Sequence, residues 1–348
     1  MGNLRTHLER SNNNLDLFKL LTAVLIIWNH SFPLSPVPGM GWYSFLSEYT
    51  VPLFAFMAGL TFTNSVVNHD SLKRALIRPF FRLYISYTIA VVVSALLFAP
   101  LLYKNGFLLY FYENLPNAYF YIKSNLTLNS TFNIPGVLEN FRNNYGINGS
   151  LWCMPLFFGM YAWTIVTFCL NFYKQISSSR ILSMGVLIGF LLMSYYFRDF
   201  LPDQSIATLE CRNLVFGFLL GIVCYTYKDS LSIDIRMLIG FCLFAFLFRH
   251  TEVSYFMNAI LIFYSVLFLS TVRFVVKRKL PINLSMGVFL YSFPVQQLIS
   301  SIFANSLPIF NFLLSTFVAL ILAYFSAKYI ESFLYGVADN LYKFVEKV

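Results

Sequence analysis

About ten runs of apolar residues, each near the roughly 20-residue length of a membrane-spanning helix, recur along this chain between short polar segments. They lie at Leu15–Leu34, Phe45–Val67, Phe80–Leu102, Leu151–Tyr173, Ile181–Phe197, Asn213–Tyr227, Ile235–Phe248, Val253–Val272, Leu284–Ala304 and Ile309–Ile330. Backbone inside hydrocarbon must satisfy its own hydrogen bonds, so runs of this length fold as helices. The chain therefore reads as all-α, a polytopic transmembrane helix bundle. The seventh run is short, and a re-entrant course is the alternative to a full crossing there. Composition closes off the soluble alternative: only 11% of residues are charged, against about 25% in a soluble domain.

The net charge of +9 invites a nucleic-acid reading. The basic residues are instead distributed in short segments between apolar runs, which is how membrane topology is encoded, and no nucleic-acid partner is expected. With the N-terminus inside, inner segments hold about three times as many Lys and Arg as outer ones. The outer ones are Lys104, Lys123, Arg142, Arg198, Arg212 and Arg249. Both termini are thus expected in the cytoplasm, with a tail over 1–14, a membrane module over 15–330 and a tail over 331–348. The first fourteen residues are mostly polar and lack a cleavable leader pattern.

An outer segment from Lys104 to Gly149 is rich in Asn, Tyr and Phe, with Pro116 and Pro135 as breakers. It reads as an interfacial or lid-like loop, or as a segment packed in order on the bundle. No internal repeat is visible. The five cysteines are scattered with no CxxC pair, so no metal site and no disulfide framework is expected.

Ionisable residues inside spans are candidates for function. The first run holds two, Lys19 and His30, and His30 is the one histidine of four within a long apolar run. Their spacing of eleven residues is three helical turns plus about 20°, so they share a face, some 16 Å apart along the axis. Lys19 alone reads equally as a lysine snorkelling to headgroups, and His30 alone as a satisfied interior histidine. Together they suit a long donor with an anionic head, such as an acyl-coenzyme A.

Lys19-x10-His30 resembles the Arg/Lys-x10-His motif of the acyltransferase 3 family of bacterial membrane proteins, and its flanks resemble that family's opening segment. Further segments resemble the family in the same order. They are Val51-Pro-Leu-Phe-Ala-Phe-Met-Ala-Gly59, Arg78-Pro-Phe-Phe-Arg82, Asn148-Gly-Ser-Leu-Trp152 with Pro155, Phe218-Leu-Leu-Gly221 with Tyr225, Leu290-Tyr-Ser-Phe-Pro-Val-Gln-Gln297 and Tyr329-Ile-Glu331. Two positions depart: Ala58 stands where the family often has Ser, and Phe157 where it often has Glu.

The resemblance implies an O-acyltransferase of the bacterial inner membrane. Acetyl would move from cytoplasmic acetyl-CoA to a hydroxyl of a cell-surface or lipid-linked glycan, with no permanently bound cofactor. His30 would be the base or a transient acyl carrier, and Lys19, three turns away on the same face, is the second catalytic candidate. Arg78 and Arg82 would meet the donor's phosphates, the alternative being a topology anchor. Trp152, Ser150 and Tyr291 are candidates to line the site, or else belong to belt and packing. Glu210 and Arg212, with Asp199 and Asp203, can hold a sugar or form a solvated loop. Glu331 is expected to pair with Lys328 at i, i+3. Rival readings are a flippase for lipid-linked saccharide with His30 as proton relay, a polymerase using outer-loop arginines, and a structural scaffold.

Overall fold

The computed structural model describes residues 3–8, 14–35, 46–68, 72–139, 141, 145–170, 176–196, 206–271, 282–304 and 306–337, with backbone alone at 72–79, 176–178, 193–196 and 206–208. The described residues form helices α1 (Leu4–Leu8), α2 (Leu15–Leu34), α3 (Ser47–Val67), α4 (Leu72–Val93), α5 (Ala99–Leu101), α6 (Phe107–Glu113), α7 (Leu115–Leu126), α8 (Met154–Cys169), α9 (Ile176–Tyr196), α10 (Ile206–Thr226), α11 (Ile235–Leu247), α12 (Ser254–Thr271), α13 (Ser285–Ile302) and α14 (Pro308–Phe325). A π-helical turn, Ser94–Phe98, follows α4. Another, Ser326–Glu331, follows α14, and a 3-10 turn, Gly149–Cys153, leads into α8.

Among the described residues, seven helices are long and apolar enough to cross a membrane: Leu15–Leu34, Ser47–Val67, Phe80–Leu101, Gly149–Cys169, Leu209–Thr226, Ser254–Thr271 and Pro308–Val337. The run expected at Ile235–Phe248 is α11, with 13 residues. That is about 20 Å of helix, short of a hydrocarbon core of about 30 Å.

The chain divides into two compact units, Met1–Thr22, Ser47–Pro79 and Leu156–Pro281, and Ala23–Leu46, Phe80–Pro155 and Ile282–Val348. In the first, α3 and α10 meet backbone to backbone. A Cβ added at Gly59 would collide with the Phe218 carbonyl, at Gly217 with that of Pro52, and at Gly221 with that of Phe56. This contact explains two of the glycine-bearing segments singled out in the sequence, since only glycine admits such an approach. Phe56 and Phe263 stack beside it, their centroids 5.2 Å apart. The N-terminal residues are tied in as well: the Leu4 N–H donates to Leu231 O at 2.9 Å, and Arg5 pairs with Asp229 at 3.1 Å.

In the second unit α13 packs on α14. The 104–149 segment folds back along α4. Tyr110 donates to Ala95 O at 2.7 Å, and fifteen residues later Asn125 O accepts from Tyr87 at 2.7 Å. Thus α6 and α7 descend beside the apolar stretch Phe80–Leu101. Their open side carries Leu108, 81% exposed, and Tyr112, 88% exposed. Asn125 is the floor of the return: its side-chain amide donates to Tyr121 O and Thr131 O, both at 2.9 Å, and it is fully buried.

Candidate functional site

His30 lies on α2, with Ser31 behind it and Phe293 of α13 against its ring. The His30 and Phe293 centroids are 5.3 Å apart at 80°, an edge-to-face contact. The His30 Nδ1 is out of solvent and has no hydrogen-bond partner among the described residues. A neutral imidazole has one acceptor nitrogen, so Nδ1 stands open to a proton brought by a ligand.

Phe293 ties this helix to the Asn148-Gly-Ser150 turn. A Cβ on Gly149 would fall 2.6 Å from Phe293 Cζ, so the missing side chain is what lets the ring in. Asn148 fixes the turn from within. Its amide donates to Leu290 O at 3.0 Å and to Ser94 Oγ at 3.1 Å, and its Oδ1 accepts from the Ser150 N–H at 3.2 Å. Ser150 is buried, and its Oγ has no partner among the described residues. The turn therefore brings a second unsatisfied polar atom to the same part of this unit. Such atoms cost about 1–3 kcal/mol when left without a partner, and a hydroxylated ligand would supply one. Trp152 follows on the same 3-10 turn, partly buried.

Behind His30 runs a buried polar seam that the sequence reading did not identify. Gln296 of α13 donates to Ile27 O and Ser31 Oγ at 2.9 Å and to Asn311 Oδ1 at 3.2 Å. Asn311 of α14 donates to Gln296 O at 3.1 Å and Ser300 Oγ at 2.8 Å. The seam fixes the rotation of α2 where it carries His30. Its signal in the sequence was present as polar amides within apolar runs, but which helices they join is not local information.

Lys19 has its neighbours in the other unit, where it donates to Thr61 Oγ1 of α3. Thr61 is two residues past Gly59, so the lysine is held by the segment that packs on α10. The uninterrupted helix from Leu15 to Leu34 keeps the eleven-residue spacing. Ala58 and Phe157, the two departures from the family pattern, are both buried, and Phe157 packs edge-on against Phe54 at 6.3 Å. Apolar packing takes up these two positions.

Arg82 is exposed on α4, with its guanidinium 5.2 Å from the Tyr335 ring centroid. The Arg78 side chain lies outside the described residues, as do Arg142, Asp199 and Asp203. Arg212 donates to its neighbour Asn213 and lies over Phe256 at 5.3 Å, while Glu210 is exposed. Tyr291 donates to Ser326 Oγ at 2.9 Å.

The expected Glu331–Lys328 pair is corrected. Lys328 donates to Tyr324 at 2.8 Å, and Glu331, 8% exposed, accepts from Ser86 at 2.7 Å, Ser326 at 2.9 Å and Tyr335 at 2.7 Å. The reason is the π-helical turn. It places residues i and i+5 one above the other, where an α-helix would place i and i+3 or i+4. Ser326 and Glu331 are five apart.

A family model described as an acyltransferase domain matches residues 12–328. No match is found among curated proteins or among solved structures. With nearly the whole chain covered, and with a helical fold rich in spanning-length segments, this multi-pass membrane protein belongs to the acyltransferase 3 family.

Proposed function

We propose that the protein moves an acyl group, acetyl by the family resemblance, from cytoplasmic acyl-CoA to a hydroxyl of a cell-surface or lipid-linked glycan. It would act as a bacterial inner-membrane enzyme with both termini cytoplasmic. The observation that carries this reading is the solvent-free Nδ1 of His30, without a partner among the described residues, at the histidine of the family's opening motif.

In the direct route, His30 takes the proton of the acceptor hydroxyl as its oxygen bonds to the thioester carbonyl carbon. The carbon–sulfur bond then breaks, and the departing thiolate receives the proton. In the two-step route the imidazole itself carries the acyl group between donor and acceptor. Ser150, whose hydroxyl is also unpartnered among the described residues, is the group we assign to acceptor binding. Arg82, with its side chain exposed, is assigned to the donor's phosphates, together with Arg78.

The test is incorporation of labelled acetyl from acetyl-CoA into cell-surface glycan, comparing the native chain with His30→Ala at matched expression. Label that disappears in the variant supports the reading. Full transfer by the variant removes both routes, and no label with either chain across several acceptor strains removes the activity.

A further inference from the structure

Glu331 is a carboxylate buried among hydroxyls, and the mechanism above leaves it unused. Its three donors are Ser86 of α4, Ser326 of the π turn and Tyr335 beyond it. No cation faces it among the described residues. Glu331 and Tyr335 also lie past the residues that the family model matches.

The Tyr335 hydroxyl lies 2.7 Å from Glu331 Oε2, 3.3 Å from Ser86 Oγ and 3.4 Å from Arg82 O. Its ring face meets the Arg82 guanidinium at 5.2 Å. A phenol that donates to a carboxylate gains electron density on its ring, and a richer ring holds a cation more firmly. The negative charge of Glu331 thus reaches Arg82 through an aromatic face. A direct ion pair would occupy two of the five N–H donors of an arginine. Here the guanidinium makes no side-chain hydrogen bond or ion pair among the described residues and stays open along its edges.

We propose that Glu331 and Tyr335 are positioning residues that steady the Arg82 guanidinium while leaving its N–H donors free for a phosphate of the acyl-CoA donor. The inference rests on the donor reading given above. Ser86 and Ser326 complete the holder: Ser86 ties the carboxylate to the helix that carries Arg82, and Ser326 ties it to Tyr291.

The experiment is a double-mutant cycle on the binding of CoA to the purified full chain in detergent. Arg82→Ala, Glu331→Gln, Tyr335→Phe and the doubles with Arg82→Ala are compared, with thermal unfolding as the control for folding. Glu331→Gln and Tyr335→Phe are each expected to weaken CoA binding about fivefold. Neither is expected to add to Arg82→Ala, because all three act through one guanidinium. Loss of affinity in Arg82→Ala with none in the other two overturns the holder and keeps the donor reading. Full additivity also overturns it, since Glu331 would then act elsewhere. An Arg82→Ala chain that binds CoA normally overturns the donor role of Arg82 itself. Should Glu331→Gln fail to fold, Tyr335→Phe, which keeps the ring and loses only the hydroxyl, decides alone.

Discussion

The ring of Phe293 meets the imidazole of His30 edge-on at 5.3 Å, and its tip fills the space that a side chain at Gly149 would need. One aromatic ring therefore sets the spacing between the histidine and the Asn148-Gly-Ser150 turn. Gly149→Ala should push the ring off the imidazole, an overpacking that costs about 1–3 kcal/mol. We expect transfer activity to fall about tenfold or more with expression retained, and Phe293→Leu in the same chain to restore part of it. Activity unchanged in Gly149→Ala would show that the ring does not position His30.

The α3–α10 contact predicts a sharp contrast among glycines. Alanine at Gly59, Gly217 or Gly221 drives a Cβ into backbone carbonyls, which cannot rotate aside. Each should destabilise by at least about 1–3 kcal/mol. Alanine at Gly185 or Gly189 of α9 meets nothing within 4 Å, and should be neutral or stabilise by up to about 1 kcal/mol through helix propensity. Thermal unfolding of the five single variants in one detergent checks the order.

Two exposed carboxylates in the 104–149 segment give a pH dependence. Glu139 accepts from Lys104 at 2.6 Å and from the Gly136 N–H at 2.6 Å, and the first of these chiefly holds its carboxyl below the ordinary value. Asn105 and then Tyr103 do the same for Glu113. A folded-state value below the unfolded one means that the anchoring is present above the unfolded value, near 4.3, and fades as pH falls through the folded one. Lys104 is raised by the same bond, so its share persists below about 10.4 and is lost as pH climbs through its folded value. Amide protection in 103–139, taken relative to the unfolded chain at the same pH, should be highest between these limits and should drop below about pH 4. Glu139→Gln should remove that acid step.

The descent of α6 and α7 along α4 predicts that their open face meets lipid. In a cysteine-free background, cysteines at Leu108, Tyr112 and Tyr119 should react poorly with a membrane-impermeant maleimide and be reached by a lipid-borne nitroxide. A cysteine at Lys104 should label freely. Ready labelling at all four positions would place the segment in water.

Much of this was legible in the sequence. His30 stood out because an imidazole in an apolar run has no cheap explanation, and the spanning-length runs followed from the hydrocarbon's demand on the backbone. The role of Gly59 and Gly221 was not legible, since a close backbone approach depends on the partner helix. Glu331 was misread because the i, i+3 rule assumes α-helical phase, and because one of its donors is Ser86, 245 positions away. The return of 104–149 along α4 was hidden for a related reason. Asn125 and Tyr121 look polar and solvent-bound in a row of letters, yet both are fully buried, and the partners of Asn125 include Tyr87 of α4 and Thr131.

The glycine contact between α3 and α10 has a mechanical consequence. Two backbones that touch through carbonyls at three levels can neither slide nor roll past one another without collision. This pair is the stiff keel of its unit, and Lys19, moored to α3 through Thr61, inherits that stiffness. On α11 of the same unit, by contrast, Leu243, Phe244 and Leu247 face outward, and a Cβ at Gly240 would meet nothing within 4 Å, so no such backbone lock is built there.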